Sequence, residues 1–62
     1  MTASPEDRIR QLRHDLSNPL SAILAETQLL LLRADTLDQE TVSSLKEIEA
    51  LSRRMREILQ RQ

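Results

Sequence analysis

Residues 9–30, IRQLRHDLSNPLSAILAETQLL, carry apolar side chains that repeat with the period of an α-helix. The steps between successive positions are 3, 4, 4, 3, 4 and 3, when the methyl group of Thr27 is counted as apolar. The positions are Ile9, Leu12, Leu16, Leu20, Ile23, Thr27 and Leu30. This regular spacing predicts an amphipathic helix with one apolar face along the whole stretch.

Pro19 interrupts this stretch and allows two interpretations. In the first, Asn18 is an N-cap and Pro19 begins a new helix. In the second, one bent helix continues through the proline, and the carbonyl of Asp15 loses its amide donor. The apolar positions keep their phase across Pro19, which favours the single bent helix.

The flanking sequence predicts where this helix begins and ends. Ser4-Pro5-Glu6-Asp7 combines a capping hydroxyl, a proline suited to the first helical position and two acids that face the helix dipole. We therefore expect a frayed start at Met1–Ala3 and helix 1 at about 5–33. Turn-forming residues at about 34–38 precede helix 2 at about 39–60, which either Thr36 or Asp38 would cap.

Helix 2 has a broad apolar face, so we expect it to contact more than one neighbour. Its positions are Val42, Leu45, Ile48, Leu51, Met55, Ile58 and Leu59, with Ser52 on the same side. A short connection makes the two helices antiparallel. The fold class predicted for residues 1–62 is all-α, a two-helix hairpin. Because one hairpin buries little apolar area, we expect a homodimer that forms a four-helix bundle.

The composition of the 62 residues excludes several functions. There is no glycine, which rules out Gly-rich phosphate cradles, and no cysteine, which rules out disulfides and thiolate metal sites. We expect a cytoplasmic location, because the lack of cysteine fits a reducing compartment. No apolar run approaches the ~20 residues of a membrane span, so we expect no membrane contact. The formal net charge of −1 argues against nucleic acid.

His14 is the single histidine of the chain, and its helical phase places it almost opposite the apolar face. Ser17, Asn18, Ser21 and Ala25 share its side. Metal binding would need further ligands, and hydrolysis would need a cleft, whereas nucleophilic attack on a phosphoryl group needs an exposed imidazole and a nearby carboxylate. The alternative is a surface histidine without a role.

The segment from His14 to Ile23 resembles the H-box of sensor histidine kinases: His, acid, aliphatic, variable, Asn or Thr, Pro, Leu, and an aliphatic residue three further on. The resemblance, to the dimerisation and histidine phosphotransfer (DHp or HisKA) domain, spans nearly the whole chain. It implies that His14 is the phosphoacceptor and that Asp15 orients or deprotonates the imidazole. It also implies that Asn18 positions the water that attacks a phospho-aspartate, and that Pro19 bends the helix.

The resemblance also implies partners for this chain. These are a second copy of the chain, a response-regulator receiver domain, and a kinase catalytic domain acting in cis or in trans. The residues implied to contact the receiver are Ser21, Ala22, Ala25 and Leu29, with Ser52 and Met55 on helix 2. The exposed Leu29 and Leu32 could instead seal the bundle near the turn.

A chain without glycine lacks the Gly-rich boxes that bind ATP in the family, so it is not a kinase on its own. We expect the chain itself to bind no cofactor or metal. A separate or missing catalytic domain would bind ATP and supply the phosphate to His14. The chain would then be part of a histidine kinase or a histidine phosphotransferase. Two alternatives stay open: a structural dimerisation hairpin without phosphotransfer, and an RNA-binding four-helix dimer, which would need a continuous basic face and in which acids interleave only sparsely with the arginines from Arg53 to Arg61.

Overall fold

The computed structural model describes residues 4–61, which form two long helices that pack against each other. Helix α1 spans Pro5–Leu31, a short 3-10 turn spans Ala34–Thr36, and helix α2 spans Gln39–Gln60. No strand occurs within residues 4–61. The predicted all-α hairpin is confirmed. The expected frayed start at Met1–Ala3 lies outside the described residues.

Helix α1 begins as predicted, with Ser4 as its N-cap and Pro5 in its first turn. The Ser4 hydroxyl oxygen accepts a hydrogen bond from the backbone amide of Asp7 at 3.1 Å. The helix ends at Leu31 rather than at about residue 33, because the chain tightens into the 3-10 turn. There the hydroxyl of Thr36 donates to the carbonyl of Arg33 at 2.8 Å, and the Thr36 amide donates to the same carbonyl at 2.9 Å.

Pro19 lies inside α1, which continues through it, so the prediction of one helix is confirmed. Proline has no N–H, and the carbonyl of Asp15 therefore lacks its usual helical donor. In the same region the hydroxyl of Ser17 donates to the carbonyl of Arg13 at 2.6 Å. The helical hydrogen bonds are thus altered in the turn that directly follows His14.

Helix α2 is capped by Asp38 and not by Thr36. The Asp38 carboxylate accepts a hydrogen bond from the backbone amide of Thr41 at 2.7 Å. Hydrogen bonds from Thr41, through its side chain first and then its amide, hold the pKa of the Asp38 carboxyl below its ordinary value. Thr36 is not available as the cap, because its hydroxyl belongs to the 3-10 turn.

The two helices meet along a narrow line of buried side chains, which we call the hairpin seam. It consists of Leu20, Leu24, Thr27, Leu45 and Ser52. The Thr27 hydroxyl stays satisfied there by donating to the carbonyl of Ile23 at 2.7 Å. Leu24 was not among the predicted apolar positions, although it is one of three buried hydrophobic residues between residues 4 and 61.

Most of the predicted apolar face is not covered by the partner helix. We call these exposed residues the uncovered stripe: Ile9, Leu12, Leu16, Ile23 and Leu30 on α1, and Ile48, Leu51, Met55 and Ile58 on α2. Part of the stripe forms an apolar groove between the helices. The groove is lined by Leu16, Pro19, Leu20 and Ile23 from α1 and by Met55, Ile58 and Leu59 from α2. The predicted face therefore divides into a seam and a stripe.

The dimensions of the hairpin show how incomplete its core is. The Cα atoms extend over 54 × 15 × 12 Å, with a radius of gyration of 15.4 Å. A compact domain of this length has a radius of about 11 Å. The accessible surface is 5251 Å², whereas a folded monomer of this mass exposes about 4100 Å². The hairpin therefore exposes roughly 1100 Å² more surface than a compact monomer of its mass.

Candidate functional site

His14 projects from the first half of α1, about 2.5 turns after its start. Its side chain is 75% exposed. At about 100° per residue, His14 and Leu16 of the uncovered stripe are separated by about 160° around the helix axis. The imidazole therefore points away from the apolar groove, and it stays accessible if that groove is covered.

The carboxylate of Asp15 lies beside the imidazole. Its Oδ1 atom is 3.6 Å from Nδ1 of His14, within ion-pair range when the imidazole is protonated. The same Oδ1 accepts a hydrogen bond from the side-chain amide of Gln11 at 2.9 Å. A carboxylate next to Nδ1 favours the tautomer with its proton on Nδ1, which leaves the lone pair of Nε2 free. Such an imidazole can act as a nucleophile through Nε2.

The other residues predicted on the His14 side fall into two groups. Asn18, Ser21 and Ala25 are exposed, so small or polar side chains border the imidazole in the direction of the turn. Ser17 is half-buried, and its hydroxyl donates to a backbone carbonyl. Ser17 is therefore occupied with helix hydrogen bonding and is not presented as a nucleophile.

The six residues assigned to receiver docking do not form one surface. Ser21, Ala22, Ala25 and Leu29 are exposed on α1. Ser52 is only 2% exposed in the hairpin seam, which corrects its assignment because a partner could not reach its side chain. Met55 lines the apolar groove together with Leu16 and Pro19, on a different side from His14.

Charge is distributed unevenly between the two ends of the hairpin. The end that carries His14, residues 4–19 and 53–61, has seven arginines and four carboxylates, which gives a net charge of +3. The turn end, residues 20–52, has two cations and six carboxylates, which gives −4. A net positive end attracts anionic groups. His14 therefore lies at the end of the hairpin that carries the net positive charge.

Two other kinds of site find no support in the described residues. Across residues 4–61, no three His, Cys, Asp or Glu side chains come together in a way that could bind a metal ion. Over the same span, neither helix combines the length and hydropathy that a membrane crossing requires.

Gln11 is the contributor that sequence reasoning missed. It lies three residues before His14 and four before Asp15, outside the segment that resembles the H-box. Gln and Asp four residues apart on a helix can form a side-chain hydrogen bond. This spacing between Gln11 and Asp15 was the sequence signal that could have identified Gln11. The contact shows that the local arrangement around His14 begins one turn earlier than the motif.

A helical hairpin with an exposed histidine, an adjoining carboxylate and an uncovered apolar face has the features expected of a dimerising phosphoacceptor domain. The family described as "His Kinase A (phospho-acceptor) domain" matches residues 6–61, and the chain belongs to this family. Its role is accordingly that of a phosphoacceptor and dimerisation domain in two-component signalling. Searches of curated proteins and of solved structures gave no significant match.

Proposed function

We propose that His14 accepts a phosphoryl group from a kinase catalytic domain, which draws it from ATP, and passes it to an aspartate of a response regulator. The observation that carries this proposal is the exposed imidazole with the Asp15 carboxylate at its Nδ1 atom. Family membership supports it, because the matched residues include the whole segment from His14 to Ile23.

The chemistry follows from the two ring nitrogens. Nε2 uses its lone pair to form a bond with the phosphorus atom, while the bond from phosphorus to the leaving oxygen of the donor breaks. The imidazole becomes positively charged during attack, and the Asp15 carboxylate near Nδ1 stabilises that charge. In the second transfer, a carboxylate oxygen of the regulator attacks phosphorus, and the electrons of the N–P bond return to Nε2.

The proposal assigns the uncovered stripe to a second copy of the chain. The excess accessible surface and the elongated shape support this assignment, since a hairpin alone leaves nine large apolar side chains exposed along the stripe. Two hairpins that cover each other's grooves would make a four-helix bundle with His14 on its outside. Met55 would then belong to the dimer interface rather than to the docking surface.

The receiver domain would approach from the side of α1 that carries His14. Ser21, Ala22 and Ala25 are small and exposed, so they leave room for a protein surface close to the imidazole. Leu29 adds an exposed apolar contact about one turn beyond Ala25 and about four turns beyond His14. The proposal locates the reaction in the cytoplasm, where ATP-dependent kinase domains operate.

The test is to incubate the chain with a kinase catalytic domain, ATP labelled in its terminal phosphate, and a receiver domain. We expect acid-labile, alkali-stable label on the chain, followed by its loss to the receiver. Because His14 is the single histidine, His14→Gln should abolish the label, whereas Gln28→Ala on the same helix should leave it intact.

Two results would count against phosphotransfer through His14. Label that persists after His14→Gln would place the phosphoryl group elsewhere. A chain that forms the expected dimer but takes no label from any kinase domain would favour the structural dimerisation hairpin. Circular dichroism of each variant ensures that a loss of label does not come from unfolding.

A further inference from the structure

We propose that Gln11 is a positioning residue that holds the Asp15 carboxylate against Nδ1 of His14. This inference deepens the proposed function, and its phosphorylation measurement rests on that function. One oxygen atom links the three side chains. Oδ1 of Asp15 accepts from Nε2 of Gln11 at 2.9 Å and lies 3.6 Å from Nδ1 of His14.

The helix geometry explains why Gln11 can serve both neighbours. At about 100° per residue, Gln11 lies between them around the axis, about 40° from Asp15 and about 60° from His14. Side chains on a helix lean towards its N-terminus, so both functional side chains lean towards the turn that contains Gln11. Gln11 accordingly borders a surface hollow with His14 and another with Asp15.

The Asp15 carboxylate needs the hydrogen bond from Gln11 because His14 and Asp15 are consecutive, and consecutive side chains on a helix do not face each other. Both His14 and Asp15 are largely exposed, and neither is confined by packing. The second hollow also contains Arg8, a cation that competes for a free carboxylate on the same helix. A hydrogen bond from Gln11 restricts Asp15 to rotamers that keep Oδ1 near the imidazole, and so favours the proton on Nδ1.

The first measurement reads the imidazole directly and needs no phosphorylation. The chain contains a single histidine, so the ¹⁵N chemical shifts of its two ring nitrogens report the tautomer ratio of His14 without ambiguity. The ratio is measured at a pH where the imidazole is neutral. Gln11→Ala should lower the ratio of Nδ1–H to Nε2–H about twofold, the factor that corresponds to loss of one exposed helix-surface pair.

The control variants separate positioning from helix stability. Gln28→Ala makes the same substitution on the same helix, far from the imidazole, and should leave the tautomer ratio unchanged. Gln11→Lys restores a donor to Asp15 and should recover the ratio, while Gln11→Glu repels the carboxylate and should lower it. A ratio in Gln11→Ala equal to that of the original chain would overturn the proposal.

The second measurement is the initial rate at which a kinase domain labels His14. We expect Gln11→Ala to slow labelling about twofold and Gln11→Lys to restore it. In an Asp15→Ala background, Gln11→Ala should add no further loss, because the acceptor of the Gln11 hydrogen bond is already absent. Equal losses in both backgrounds would overturn the proposal. If no kinase domain ever labels the chain, that result overturns the proposed function and not the role of Gln11. The tautomer ratio of His14 then decides whether Gln11 is a positioning residue.

Discussion

At the scale of single residues, three serines of this chain have identical side chains but different surroundings. Ser21 is exposed near the imidazole, Ser17 donates to the carbonyl of Arg13, and Ser52 is buried between the helices. A small side chain in the seam lets two helices approach each other, whereas a small side chain beside His14 leaves room for a partner. Residue type alone therefore does not assign a role here.

Asn18 provides the prediction at this scale. It is exposed and lies four residues after His14, on the same side of α1. The family resemblance implies that Asn18 positions an attacking water; on that proposal, Asn18→Ala should slow removal of phosphate from the regulator by about tenfold or more, since misplacing the water is costly. Labelling of His14 should change much less. Both rates are measured with one kinase domain and one receiver.

The conservative variant Asn18→Thr keeps a polar group at this position and should retain part of the phosphatase rate. Equal losses of labelling and of phosphate removal in Asn18→Ala would mean that Asn18 acts on the structure of the helix and not on the water. Circular dichroism on the same samples would detect such a structural effect.

At the scale of elements, α1 accepts a proline at a position where a helix loses a hydrogen bond. Pro19 leaves the carbonyl of Asp15, the residue after His14, without a helical donor. The helix continues because apolar residues on both sides of Pro19, including Leu16, Leu20 and Ile23, share the groove with it. The packing of the hairpin thus outweighs the local preference of the proline.

Pro19→Ala should restore that hydrogen bond and stabilise the chain. We expect the free energy of unfolding to rise by about 1–3 kcal/mol, the upper value being the cost of a proline within a helix. Pro5→Ala is the matched control, because Pro5 lies in the first turn where proline is tolerated. Chemical denaturation at one protein concentration compares the variants. Similar changes in both would show that Pro19 causes no particular strain.

At the scale of the whole molecule, the hairpin is too thin to form a complete core. Only Leu20, Leu24 and Leu45 are buried hydrophobic residues among residues 4–61. The uncovered stripe extends along both helices on one side, and His14 points to another side. One face is thus available for association while the face that carries His14 stays open.

Leu16→Glu should therefore prevent dimerisation without altering the surroundings of the imidazole. Placing a charge in an apolar interface costs at least about 1–3 kcal/mol, and each dimer contains the substitution twice, so we expect Kd to rise about a hundredfold or more. Leu32→Glu is the control, since Leu32 is 80% exposed and lies off the stripe. Light scattering coupled to size-exclusion chromatography gives the mass, and a dimeric Leu16→Glu would contradict the assignment.

Much of this architecture can be read from local sequence. The period of the apolar residues predicts both helices, Ser4 and Pro5 predict the start of α1, and the phase at His14 predicts its exposure. These features depend on residues within about one turn of one another, so they can be predicted from the spacing of residues along the sequence. The unbroken phase across Pro19 likewise predicted one helix rather than two.

The tertiary structure decided what depends on competition between contacts. Two antiparallel helices touch along a narrow line, so packing selected Leu24 and Ser52 for the seam and left Leu16 and Met55 uncovered. The choice of Asp38 over Thr36 as the cap of α2 followed from the 3-10 turn, which uses the Thr36 hydroxyl. Periodicity reports which side of a helix is apolar. It does not report which part of that side a given neighbour will cover.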